Sequence, residues 1–266
     1  MSAAIKISSP ATQEFWEIPV LFEDDHLLAL DKPPRLLTSP DAREPQRPSL
    51  MERLHAGIAA GKPWAGGRGL NYLANVHRLD SDASGVLLLA KSKPVFVALA
   101  NLFGAEKVTR TCVALVQGAP AEDRFDCTAR LAAHPTPAGW VRVDERRGKR
   151  ARTTFELLER FSGYTLLRCQ MLTDRPHQVR AHLRHARLPI VGDALYGGAP
   201  LLLSRLKPNY HLKPDHTERP LISTAALHAE GLTLTHPVTG APLTLTAPWP
   251  KDLTVAVKYL RRYAAA

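Results

Sequence analysis

Asp80 lies in HRLDSDASG (residues 77–85), two residues after Arg78 and two before Asp82, at the head of the apolar run GVLLLA. A carboxylate at the mouth of a strand can serve as a nucleophile at a sugar carbon or as a general base. The same string has a plainer use, with Asp80 pairing with Arg78 or capping a turn. Asp82 and Ser84 suit a turn. On this stretch alone both uses stay open. The second concentration of chemistry is DRPHQVRAHLRHAR (174–187). At helical spacing His177, Arg180, Arg184 and Arg187 share one side, and Val179, Leu183 and Ala186 another. Solvated faces usually mix signs. This one carries no acid, which suits phosphate contact or the holding of one buried carboxylate.

Other chemistries find less support. His182 and His185 stand at i, i+3, but His177 is five residues from His182, and no Asp, Glu or Cys completes a ligand set. These histidines are expected to face a polyanion or to pack, and no metal is expected. AGGRG lacks the lysine of a phosphate loop and the spacing of a dinucleotide fold. FSGYT lacks the second glycine of a nucleophile elbow.

The elements that must position these groups are mostly strands. IPVLFED (18–24) and HLLALDKP (26–33) predict a strand pair. Ser49 and Glu52 form a capping box, so a helix runs from there to Gly61. GVLLLAKS predicts a buried strand, PVFVALANLFG (94–104) a short helix, and TRTCVALVQG (109–118) a strand. Residues 151–161 and 164–172 predict a strand pair turning at Ser162-Gly163. A helix follows over about 176–187, and a hairpin turns at Thr239-Gly240. Segment 197–220 has no period. Strands dominate and the helices do not alternate with them, so the fold class is α+β with a largely antiparallel sheet.

The 266 residues carry 35 Lys and Arg against 25 Asp and Glu, a formal charge of +10. A basic balance of this size points to a polyanion, above all nucleic acid. The three cysteines (Cys112, Cys127, Cys169) form no C-x-x-C pair, as suits a reducing compartment. No signal-peptide pattern opens the chain, and VLLLA is far too short to span a bilayer. A cytoplasmic protein without a membrane partner is expected.

Five strings in order (HRLDSDASG, RTCVALVQG, TDRPHQVRAHL, PIVGDALYGG and LHAEGLTLTHPVTG) resemble the RluA-type family of RNA pseudouridine synthases, from about residue 18 to residue 253. The resemblance implies a curved, mostly antiparallel mixed sheet with flanking short helices and an RNA cleft across the middle. It also implies isomerisation of uridine to pseudouridine in tRNA or rRNA without cofactor or metal. It divides the chain into an N-terminal extension (1–17) and a catalytic domain (18–266) with no S4 RNA-binding domain, taken to act as a monomer. Asp80 matches the family's catalytic aspartate. Arg78 matches the residue that enters the RNA stack as the target base flips out, and Arg180 the basic residue that keeps the aspartate ionised. His77, His177 and Arg184 are expected to contact RNA. Cys112 stands where the family has a tyrosine that stacks on the target base. Ala83 replaces a Thr, Asp174 and Pro176 replace Gly and Thr, and Arg35 replaces the Gly of K-P-x-G-L. A second reading rests on Cys112: a non-catalytic or weakly active RNA-binding or ribosome-assembly homologue.

Overall fold

The computed structural model describes residues 4–136, 139–212 and 216–266. The described elements are, in chain order, β1 (Ile5–Ser9), β2 (Glu14–Ile18), β3 (Val20–Glu23), β4 (Leu27–Lys32), α1 (Leu50–Ala59), α2 (Pro63–Gly66), β5 (Ala74–Asn75), β6 (Ser84–Ala90), α3 (Lys93–Gly104), β7 (Thr109–Gln117), β8 (Arg124–Cys127), β9 (Leu131–Ala133), β10 (Val141–Val143), β11 (Thr153–Phe161), β12 (Tyr164–Met171), α4 (Gln178–His185), β13 (Leu227–Thr235), β14 (Pro242–Thr246) and α5 (Lys251–Tyr263). The fold is α+β, as the run of strands with few helices predicts. The chain forms two compact units, Met1–Arg110 with Ala229–Pro248, and Thr111–His228 with Trp249–Ala266.

In the first unit the strand order is β3-β4-β6-β13, with β14 beside β13 and β5 beside β6. The register of β4 on β6 is antiparallel, from Leu27 opposite Ala90 to Lys32 opposite Gly85. All seven residues of β6 are buried, which explains its unbroken apolar run: a strand covered on both faces does not alternate. Leu28, Leu30, Leu87 and Leu89 pack with Leu50 and Leu54 of α1. Ala29, Val86 and Leu88 pack with Val95 and Leu99 of α3. The Ser49 side chain accepts the Glu52 N–H and caps α1, as the capping box predicts. Residues 5–18 form an antiparallel hairpin of β1 and β2. Ile5, Ile7 and Ile18 of that hairpin join the first cluster.

In the second unit the strand order is β7-β12-β11-β8. The β11–β12 pair turns at Ser162-Gly163 as expected, with Gly163 at φ +78°. A separate small sheet pairs β9 with β10. Helix α4 is shorter than the predicted 176–187. His177 precedes it in the left-handed region at φ +51°, and Arg187 leaves it at φ +60°. The wide cationic face is therefore corrected. Gln178 to Leu183 are all buried, and Arg184 and His185 are the exposed residues of the helix. Helix α5 was not predicted, although Leu253, Ala256, Val257 and Leu260 make its buried stripe.

Candidate active site

Asp80 sits in the loop between β5 and β6, half-exposed, at the first corner of a turn closed by Ala83 N–H donating to the Asp80 carbonyl at 3.1 Å. Three side chains fix that loop. The Thr38 hydroxyl donates to the Leu79 carbonyl at 2.8 Å and accepts the Leu79 N–H at 3.1 Å, closing a gap of 41 residues. Asn75 Nδ2 donates to the His77 carbonyl at 2.9 Å. His77 Nε2 accepts the Leu88 N–H of β6 at 2.9 Å, and its ring stacks on Phe103 with centroids 5.1 Å apart. His77 was expected to touch RNA. The structure corrects this: its ring is buried and occupied by a strand N–H, so it braces the loop from inside.

A residue that sequence reasoning passed over lies beneath this loop. Lys32 ends β4 and is fully buried. Its Nζ donates to the Pro33 carbonyl at 2.7 Å and to the Leu36 carbonyl at 2.9 Å. Across the ladder it faces Gly85, just past the turn that carries Asp80 and Asp82. Burial pulls the Lys32 ammonium down to about 7, and the charges of Asp80 and Asp82 oppose that fall. A lone lysine closing an apolar strand is the one signal that could have marked it. Beside it, burial pushes the Asp31 carboxyl up to about 6, against the pull of Lys32. Arg35, where the resemblance expects Gly, holds the left-handed φ of +65° that a glycine would adopt without strain.

Arg78 is exposed. Its charge reaches Asp41. The Asp41 carboxyl is held far below the usual carboxylate range, first by the Arg43 side chain at 2.9 and 2.5 Å, with a smaller contribution from Arg78.

The second unit holds Arg180. Its Nε and Nη2 donate to the two carboxylate oxygens of Asp193, both at 2.7 Å, and both side chains are buried. The guanidinium lies 4.9 Å from the centre of the Tyr196 ring. Tyr196 Oη accepts the Val141 N–H at 3.0 Å and meets His177 Nδ1 at 2.9 Å. Sequence reasoning quoted Asp193 and Tyr196 inside PIVGDALYGG and gave them no task. The structure makes them the mould that sets the plane of Arg180. Arg184 is exposed one turn further on.

His182 is a packing histidine, with Nδ1 at 2.9 Å from the Thr153 hydroxyl and Nε2 at 3.0 Å from the Ala129 carbonyl. Cys112 is buried in β7. Burial raises the thiols of Cys127 and Cys169, so neither is an activated nucleophile. Among the described residues no three His, Cys, Asp or Glu side chains gather as a metal site, and no helix is long and apolar enough to cross a membrane.

Residues 26–185 match the family model for RNA pseudouridylate synthase. The chain is 37% identical to ribosomal large subunit pseudouridine synthase D of Xanthomonas campestris pv. campestris, over 92% of this chain and 70% of that one. It is 34% identical to the protein of the same name from Xylella fastidiosa, over 97% of this chain and 74% of that one. Among solved structures, Human RNA Pseudouridylate Synthase Domain Containing 4 superposes with a TM-score of 0.66 at 21% identity, covering 91% of this chain and 92% of that one. That likeness bears on the fold.

Proposed function

The chain belongs to the RNA pseudouridylate synthase family, and on that premise we propose that Asp80 carries the isomerisation, with ribosomal large-subunit RNA as the substrate. The family assignment rests on the match over residues 26–185. The substrate follows the names of the relatives at 37% and 34% identity. The reaction breaks the bond from uracil N1 to ribose C1′ and makes one from C5 to C1′. One proton leaves C5 and one is gained at N1, so nothing is oxidised and no cofactor is consumed.

One observation carries the assignment to Asp80: it is a half-exposed carboxylate on a turn pinned from three sides, above a fully buried lysine. Either nucleophilic attack or proton removal requires a carboxylate that is both accessible and fixed in place. Lys32 is assigned as a positioning residue for Asp80. Arg180 is assigned the part of the basic residue of the family pattern, its plane set by Asp193 and Tyr196. Exposed Arg78 is assigned the space vacated by the flipped base, where a planar guanidinium stacks. His177 and Arg184 are assigned to phosphate. Cys112 is assigned the wall of the base pocket, with less contact area than a ring provides. The enzyme works as a monomer in the cytoplasm. The non-catalytic alternative is not favoured, since Asp80 and its supports are all present.

The test uses RNA from a strain lacking the gene. Purified protein should convert at least one uridine in its large-subunit ribosomal RNA, read by pseudouridine-specific labelling and reverse-transcription mapping. Asp80→Asn should lose activity by roughly 10³-fold or more. If no position gains the label with the wild-type protein, or the Asn variant matches it, the assignment fails.

A further inference from the structure

We propose that the turn at residues 144–150, DERRGKR, is a preformed clamp for RNA backbone phosphates, with Arg146, Arg147 and Lys149 as its contacts. The proposal rests on the reading of the chain as an RNA-modifying enzyme and names a surface through which it holds its substrate.

The turn is built to stay in shape. Asp144 Oδ1 accepts the N–H groups of Arg146 and Arg147 at 3.1 and 2.9 Å. Gly148 N–H donates to the Asp144 carbonyl at 2.7 Å. A Cβ on Gly148 would lie 2.4 Å from that carbonyl and 2.7 Å from the Arg130 backbone, so only glycine closes the loop. Lys149 and Leu131 exchange both backbone hydrogen bonds, at 2.8 and 2.9 Å, which ties the turn to β9. Both acids of the turn are engaged by other groups: Asp144 Oδ2 pairs with Arg142 at 3.0 Å, and Glu145 Oε1 accepts the Arg130 N–H at 3.1 Å.

The cations of the turn differ from others on the surface. Arg43, Arg47, Arg160 and Arg261 each hold a carboxylate within 3.0 Å. Arg146, Arg147 and Lys149 are exposed and have no ion-pair partner among the described residues. Three exposed like charges within four residues outnumber the two acids beside them, Asp144 and Glu145, and favour a bound polyanion. An RNA backbone suits such a row, since its phosphates accept from cationic side chains.

The turn also has a fixed relation to the Arg180 cluster in its own unit. β9 and β10 contribute Leu131 and Val141 to a small core with Ala181 of α4 and Tyr196. The Val141 N–H donates to Tyr196 Oη, and the Tyr196 ring lies against Arg180. Phosphates held at 146–149 are therefore indexed to the residues that mould Arg180.

The test compares the full-length protein with Arg146→Ala/Arg147→Ala/Lys149→Ala. A fluorescent 30-residue uridylate oligomer is titrated at several KCl concentrations. Three lost contacts at about 0.7 each should flatten the slope of log K against log salt by about 2. On protein-free large-subunit RNA, KM should rise about tenfold or more with kcat within about twofold. Arg160→Ala/Arg261→Ala, which removes two paired cations elsewhere in the unit, should leave the slope near wild type. A triple variant with an unchanged slope and KM, or with no larger change than that control, overturns the proposal and leaves the turn to an acidic protein. If the wild-type protein converts no uridine, the enzymatic reading fails, while the slope still reports on the turn.

Discussion

The Asp80 loop and the Arg180 cluster hold charge in opposite ways. Asp80 is a half-exposed carboxylate, and the charge beneath it is a fully buried lysine whose own hydrogen bonds go to the Pro33 and Leu36 carbonyls. Arg180 is a buried cation met by a buried carboxylate in a two-pronged pair. The guanidinium stays charged throughout the accessible pH range. The lysine does not, because burial brings its titration to about 7. One region therefore holds a permanent charge and the other a titratable one.

The largest expected effect comes from breaking the buried pair. Asp193→Ala strands the Arg180 charge and should cost about 3–5 kcal/mol of stability, read by urea unfolding of the purified protein. A loss below about 1 kcal/mol would mean that Arg180 swings out to water and that the mould does not exist.

Next comes the lysine. Below about pH 7 Lys32 is charged, and as pH rises through 7 that charge is lost. The kcat/KM profile should contain a limb that falls through about pH 7. In Lys32→Met that limb should be absent, with activity at pH 6 lower by about tenfold, or about 1.4 kcal/mol. The stability sign is the reverse. Between about 7 and the ordinary lysine value of 10.5, the unfolded chain binds the extra proton, so wild-type stability rises with pH across that window. Any stabilisation of Lys32→Met should be greatest at pH 6 and shrink towards pH 10. A pH profile unaltered by the substitution would separate Lys32 from the chemistry.

The smallest effect tests the Thr38 brace on the Asp80 loop. Thr38→Val keeps the shape but leaves the Leu79 N–H and carbonyl without the hydroxyl. It should cost about 1–2 kcal/mol, with kcat reduced more than KM is raised. An equal cost in stability with unchanged kcat would make Thr38 a packing residue alone.

Much of this was legible in the residues. The Ser49 cap, the buried strand at GVLLLAKS and the turn at Ser162-Gly163 all follow from local chemistry, and the family strings from resemblance. What was missed depends on partners distant in sequence. Lys32 looks like an ordinary strand end until its carbonyl partners and Gly85 are in place. His77 reads as a surface histidine until β6 presents Leu88 to it. Arg180 reads as part of a cationic stripe because Asp193, thirteen residues on, is invisible to a helical wheel. The hairpin of β1 and β2 shows the alternation of Ile5 and Ile7 in its burial, but its apolar residues are few without the core they complete.

Gly85 closes the account of the first unit. Its φ is +115°, and a Cβ there would lie 2.2 Å from the Ala229 carbonyl oxygen. The strand that leads out of the Asp80 turn thus presses against a segment made 144 residues later. During synthesis the chain departs this unit at Arg110 and returns at Ala229. Until β13 has left the ribosome, β6 waits with one edge open, so the Asp80 loop gains its final support among the last steps of folding.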